Sequence, residues 1–275
     1  MIDRGDGVRL AWRGRAGRGP TIVFLPGYRS DMAGTKAEAL DGWAAGAGRA
    51  LLRLDYSGHG ASGGAFTDGS IGRWRDDALA VIDACSTGKL LLVGSSMGGW
   101  IALLVALARP DRVAGLVGVA AAPDFTEELM WAAMAPCEQA ELRARGVLEV
   151  PSDHGAPLPI TWRLIEEGRN HLLLRGPIPI GVPVRLLQGQ RDGDVPWETA
   201  LRLAARLAGR DVRTVLVKDG DHRLSRPADL ALLTDIVAGL ATLLGSPGLG
   251  EDGGQALAVG GVAPGEAEGG FGGGG

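Results

Sequence analysis

Eleven consecutive residues constrain this chain more than any others: Leu90-Leu-Leu-Val-Gly-Ser-Ser-Met-Gly-Gly-Trp100. Leu90 to Val93 is a continuous apolar run, the pattern of a strand buried on both faces. Residues 100–108 follow with helical character. Between them, Gly94-x-Ser96-x-Gly98 has the spacing of a nucleophile elbow, in the strand–turn–helix context that such a turn requires. Ser96 must sit in a strained turn, and side chains at 94 and 98 would collide with the neighbouring strand and helix. Its hydroxyl is then lifted to a helix N-terminus, where free N–H groups and the dipole favour a developing oxyanion. In a chain with 46 glycines the bare spacing carries little weight; its surroundings carry more.

The surroundings repeat the pattern. Apolar runs at 8–12, 21–25, 50–56, 113–119, 184–188 and 213–217 read as strands. Helical patterns fall at 36–47, at 71–85, from about 196 to 208, and over a final stripe of Leu230, Leu233, Ile236, Val237, Leu240, Leu243 and Leu244. Strands alternating with helices at this spacing predict an α/β fold: a mostly parallel, doubly wound sheet covered on both faces. The order breaks at Pro123. Residues of about 124–179 read as a small helical lid insertion over the carboxyl ends of the strands, with helices at 127–134, 137–145 and 160–168 and no convincing strand.

Residues 1–245 are expected to form the one domain. Residues 246–275 hold 13 glycines, four acids and no base. Such a segment buries too little surface to offset its ordering entropy, so a disordered tail is expected. Without those four acids, 28 acids face 28 bases, and the whole net charge of −4 lies in the tail. A neutral body offers no polyanion-binding surface, so no nucleic-acid partner is expected. Cys85 and Cys137 make neither a metal spacing nor a disulfide framework. With an N-terminus lacking an apolar stretch and no run approaching 18 apolar residues, they predict a cytoplasmic protein without a membrane span.

A serine nucleophile needs a base, and the base needs an orienting acid. Of four histidines, His222 follows a predicted strand and precedes a helix, which places it on the rim that carries Ser96. His59 sits in a glycine-rich turn and suits a loop-fixing role; His154 and His171 fall in the insertion. Asp192 and Asp194 both follow the strand at 184–188. Asp194, just before Val195-Pro196, suits a helix N-cap, which leaves Asp192 to hold the imidazole. The order Ser96, Asp192, His222 is that of the α/β-hydrolases. Two donors must also meet the tetrahedral oxygen. The Met97 N–H, directly after the nucleophile, is one; the Tyr28 N–H, in the loop after the strand at 21–25, is assigned as the other. Phe125, Leu129, Met130, Trp131 and Met134 are candidates to line an acyl pocket or, equally, to dock the lid.

Nine short pieces are more specific than the elbow: Phe24-Leu-Pro-Gly-Tyr28, Gly34-Thr-Lys-Ala37, Asp55-Tyr-Ser-Gly58, Val93-Gly-Ser-Ser-Met-Gly-Gly-Trp100, Ala108-Arg-Pro110, Gly176-Pro-Ile-Pro179, Arg185-Leu-Leu187, Val195-Pro-Trp197 and Asp221-His-Arg223. Through them, from about residue 20 to 244, the chain resembles the α/β-hydrolase superfamily. Within it, the chain is most similar to the mitochondrial palmitoyl-protein thioesterases, also described as acyl-glucuronide esterases. The resemblance implies that Ser96, Asp192 and His222 fall on that family's triad. It implies cleavage of small-molecule or protein-linked acyl esters or thioesters through an acyl-enzyme, with no metal or organic cofactor. A carbon–carbon bond hydrolase or a peptidase would use the same groups. A non-catalytic binding protein on this scaffold would show them broken.

Overall fold

Apolar runs become strands here because helices cover both sides of the sheet they build. The computed structural model describes residues 1–150 and 157–245. A short ribbon pairs β1 (Ile2–Asp3) with β2 (Arg9–Leu10). The chain then runs through β3 (Trp12–Arg15), β4 (Arg18–Leu25), α1 (Thr35–Ala47), β5 (Arg49–Leu54), α2 (Ile71–Cys85), β6 (Leu90–Ser95), α3 (Met97–Ala108) and β7 (Val113–Val119). After the inserted segment come β10 (Val184–Gly189), α6 (Glu198–Arg206), β11 (Val212–Val217) and α7 (Pro227–Gly245). Seven strands form one sheet in the order β11-β10-β7-β6-β4-β5-β3, parallel throughout except that β3 runs antiparallel to β5. This agrees with the fold class read from the alternation of elements.

Side chains divide between the two faces with the period of two that a strand imposes. Val23 and Leu25 of β4 and Leu90 and Leu92 of β6 join the cluster under α2 and α3, around the fully buried Trp74 and Trp100. Ile22 and Phe24, with Leu91 and Val93, join the opposite cluster under α1 and α7. Helix α3 is buried almost all round, so it has no amphipathic stripe. Helix α7, with mean hydropathy 1.6, is long and apolar enough to cross a membrane. In this fold its Leu233, Val237 and Leu240 stripe lies in the second cluster instead.

The insertion holds a π-helical stretch (Thr126–Trp131), α4 (Pro136–Arg145), β8 (Val147–Val150), β9 (Leu158–Thr161) and α5 (Trp162–Gly168). Its all-helical reading is therefore corrected: β8 and β9 pair antiparallel as a two-stranded ribbon. Each is four residues long, too short for alternation to stand out, and Pro159 interrupts the apolar pattern of the second. Buried Asp124 fastens the two ends of the insertion, its carboxylate accepting from the Leu173 and Leu174 N–H groups at 2.8 Å each. The expected tail at 246–275, and His154, lie outside the described residues.

Strand order explains where a site can form. From β4 the chain steps to β5 on one side, then crosses to β6 on the other and continues outward to β7. The carboxyl ends of β4 and β6 are thus the point where the winding reverses and loops part, the usual ligand crevice of an open parallel sheet.

Candidate active site

Ser96 stands between β6 and α3 with φ 54° and ψ −120°, a conformation costly for any residue with a side chain. Three backbone hydrogen bonds hold it there: its N–H donates to Val119 O at 2.9 Å, and its carbonyl accepts from Gly99 and Ala122 N–H at 2.8 and 3.1 Å. A Cβ on Gly94 would lie 2.2 Å from Gly98 O, and one on Gly98 would lie 2.0 Å from Leu25 O. Backbone atoms on both sides leave no route for relaxation. Gly98→Ala should therefore lower unfolding stability by about 3 kcal/mol, the upper range for overpacking. Chemical denaturation showing a native midpoint for this variant would contradict that packing.

The imidazole of His222, in the loop between β11 and α7, has Nε2 3.1 Å from Ser96 Oγ and Nδ1 2.8 Å from Asp192 Oδ2. The Asp192 side chain is fully buried. Burial pushes its carboxyl up, but the His222 hydrogen bond and the Val195 and Asp194 N–H groups outweigh it and hold the carboxyl below its ordinary value. An ionised carboxylate only accepts, so Nδ1 carries the hydrogen and Nε2 turns its lone pair to the serine. Three residues from three loops, up to 126 positions apart, thus meet at one rim.

Sequence reasoning missed the fourth member of this cluster. Gln188, at the end of β10 and fully buried, donates from Nε2 to Asp192 Oδ2 at 2.8 Å, while its Oε1 has no hydrogen-bond partner among the described residues. Asp192 Oδ1 accepts from the Asp194 and Val195 N–H groups at 2.9 and 2.8 Å. The carboxylate therefore has four donors, two on each oxygen. A polar residue closing an apolar strand was the available signal. Asp192, Asp194 and His222 also present ligand atoms within 4.8 Å of one another. A cation there would have to displace donors from an Asp192 oxygen.

Asp194 does not cap a helix. It is exposed, and α6 begins only at Glu198, because Pro196 and Trp197 first form a turn with Thr199 N donating to Pro196 O. Asp221 accepts from Leu224 N at 2.9 Å and so shapes the His222 loop. Lys36 of α1 reaches across to the same loop, its ammonium donating to Arg223 O at 2.5 Å. His171 pairs with Glu167 at 2.6 Å, and its carbonyl accepts from Trp100 Nε1 at 3.0 Å, tying the insertion to α3.

Tyr28 follows Gly27, where a Cβ would lie 3.3 Å from Ser96 Cβ, so this loop runs beside the nucleophile. Its ring packs against Phe66, Trp74 and Phe125 at 5.1 to 5.8 Å, and its hydroxyl donates to Pro159 O at 3.4 Å. Met97 opens α3 beside Ser96 and is buried. The five lid residues are not brought together. Phe125 stacks edge-on with Trp100 at 5.8 Å, Leu129 is half-buried against the main core, and Met130 is half-buried between that core and the insertion's own cluster. Trp131 and Met134 instead belong to the insertion's own cluster with Leu142, Ile160 and Ile165, Trp131 lying 5.4 Å from Trp162.

Residues 19–150 match a family model described as serine aminopeptidase, S33. Over 251 residues the chain is 39% identical to the human palmitoyl-protein thioesterase ABHD10, mitochondrial, spanning 89% of this chain and 81% of that protein. The chain belongs to the palmitoyl-protein thioesterase ABHD10 family. As a member it is an α/β-hydrolase of ester or thioester bonds. The solved structure of alpha/beta hydrolase domain-containing protein 10 from mouse agrees, with a TM-score of 0.82 at 38% identity over 88% of this chain and 98% of that one. A solved structure from Agrobacterium vitis S4 is 45% identical with a TM-score of 0.83, covering 86% of this chain and 95% of that one.

Family membership corrects one expectation. The human, mouse, bovine, rat and Pongo abelii relatives are all named as mitochondrial, which overturns the cytoplasmic location. Two free cysteines argue for a reducing environment but do not separate one reducing compartment from another.

Proposed function

We propose that this hydrolase cleaves acyl thioesters and esters, including acyl groups carried on protein, through an acyl-enzyme formed on Ser96. The observation that carries the reading is the unbroken relay Ser96 Oγ–His222 Nε2 at 3.1 Å and His222 Nδ1–Asp192 Oδ2 at 2.8 Å. His222 takes the Ser96 proton as Oγ attacks the carbonyl carbon, and Asp192 stabilises the imidazolium that results. The tetrahedral oxygen is held by the Met97 and Tyr28 N–H groups. His222 returns the proton to the leaving thiol or alcohol. It then activates the water that attacks the acyl-enzyme, releasing the acid and free Ser96.

The acyl chain runs over Phe125, Leu129 and Met130, apolar and adaptable side chains at the start of the insertion. Two relatives support thioesters as substrates: the human and mouse proteins, named as palmitoyl-protein thioesterases. The serine aminopeptidase description of the matching family model makes peptides the natural competing substrate. Purified protein exposed briefly to a palmitoyl thioester, an aryl ester, an acyl glucuronide and an aminoacyl anilide separates them. Intact-mass spectrometry should show Ser96 carrying the acyl group from thioester or ester donors. An adduct from the anilide alone would replace this reading with a peptidase.

A further inference from the structure

The loop 26–32, which carries the Tyr28 N–H, does not hold its own shape. Arg29 sits at φ 58°, a left-handed conformation disfavoured for a side chain of its kind, and one short turn, Ser30 N to Gly27 O at 3.0 Å, lies within the loop. The Tyr28 ring is packed by Phe66, Trp74 and Phe125, and Arg53 of β5 donates to Met32 O at 2.9 Å, but the other hydrogen bonds to the loop's backbone come from the loop after β5. Tyr56 hydroxyl donates to Pro26 O at 3.3 Å, and Asp55 Oδ1 accepts from Met32 N at 2.6 Å. Between these end ties His59 Nε2 lies 3.2 Å from Arg29 N. That is the peptide unit adjoining the one whose N–H is proposed to hold the tetrahedral oxygen.

His59 is built to accept there. Its Nδ1 lies 3.2 Å from Ser57 O, and a carbonyl only accepts, so Nδ1 carries the hydrogen and Nε2 offers a lone pair to the Arg29 N–H. The ring is 4% exposed and meets Tyr56, Phe66 and Trp74 edge-on, with centroids 5.1 to 5.7 Å apart. Burial lowers its pKa and favours the neutral form, against the opposing charges of Asp77 and Asp31. Gly58 and Gly60, at φ 74° and 48°, turn the chain on either side so that the ring points inward; a Cβ on Gly60 would strike Asp55 Oδ2. With both ring nitrogens engaged and neither facing Ser96, His59 has no part in proton transfer.

We infer that His59 is the positioning residue of the oxyanion hole: by accepting the Arg29 N–H it fixes the loop that aims the Tyr28 N–H at the tetrahedral oxygen. This rests on the oxyanion role proposed for Tyr28 above. Losing the acceptor leaves the Arg29 N–H unpaired and frees the residue from φ 58°, so the neighbouring peptide turns away. Removal of a donor from an oxyanion hole costs about 10²–10³ in kcat, and a misaimed donor costs a share of that.

Two substitutions separate the ring's two hydrogen bonds. An Asn side chain reaches only the position of Nδ1 and keeps the bond to Ser57 O; a Gln side chain reaches the position of Nε2 and can accept from Arg29. His59→Asn should lower kcat, and the rate of labelling by a fluorophosphonate, by about tenfold or more with KM within about threefold. His59→Gln should recover most of both. Equal losses in the two variants, or a loss confined to KM, would overturn the assignment. In the unaltered protein the Arg29 amide should be protected from hydrogen exchange, and exchange at the rate of an open loop would overturn it without any variant. Failure of the wider reading looks different: the unaltered protein would then not label at Ser96 at all.

Discussion

Ser96→Ala removes turnover of esters and thioesters by about five to six orders of magnitude and abolishes labelling by fluorophosphonates. The size follows from the unit the three side chains form: His222 Nε2 has one hydroxyl to deprotonate, 3.1 Å away, and without it the imidazole and Asp192 have no nucleophile to serve. Residual rate would come from bound substrate meeting water beside the oxyanion donors. The same position carries a second expected result. At φ 54° and ψ −120° a side chain is strained, and glycine is not. Ser96→Gly should therefore be inactive yet more stable than the natural protein, by about 1 kcal/mol. Stability lost to hold a nucleophile in place would then appear directly in a denaturant midpoint. Ester turnover by purified Ser96→Ala at the natural rate would end the assignment.

Asp192→Asn should lower kcat by about 10⁴ while leaving the fold intact. The reason lies in how the carboxylate is surrounded. The Asp194 and Val195 N–H groups both donate to Oδ1, so the single oxygen of Asn must sit there. Its amide nitrogen then faces two former donors, His222 Nδ1 and Gln188 Nε2. Gln188 can turn its amide and offer Oε1, which has no partner among the described residues. His222 can avoid a donor–donor clash only by moving its hydrogen to Nε2, and Nε2–H cannot take the proton of Ser96. A rate within tenfold of the natural enzyme would show that Asp192 does not set the tautomer.

Acid should bring these two proteins together in stability. The Asp192 carboxyl is held below its ordinary value in the folded protein, so the stability it contributes is present above the ordinary carboxylate range and is lost as pH falls through the folded value. The difference in unfolding stability between the natural protein and Asp192→Asn should shrink over that fall. A difference constant with pH would mean that the carboxylate is not held as described.

Much of this protein is written along the chain. The elbow is legible because its requirements are local: an apolar run to make β6, glycines at 94 and 98, and an apolar helix after it. The sheet is legible because both its faces are covered, which turns each strand into an unbroken apolar run. Ser96, Asp192 and His222 are legible because parallel strands deliver their following loops to one edge, so order along the chain implies a shared rim. What the chain does not reveal are contacts that cost nothing locally. Gln188 and His59 acquire their roles only from tertiary neighbours: the Asp192 carboxylate oxygen that His222 also uses in one case, a strained Arg29 in the other. The strands β8 and β9 escaped for the same reason, since a four-residue strand is stabilised by its partner rather than by its own pattern. Local sterics and burial periodicity are properties of a sequence. Hydrogen-bond partners between distant loops, and the split of the lid residues between two cores, exist only once tertiary packing has brought those segments together.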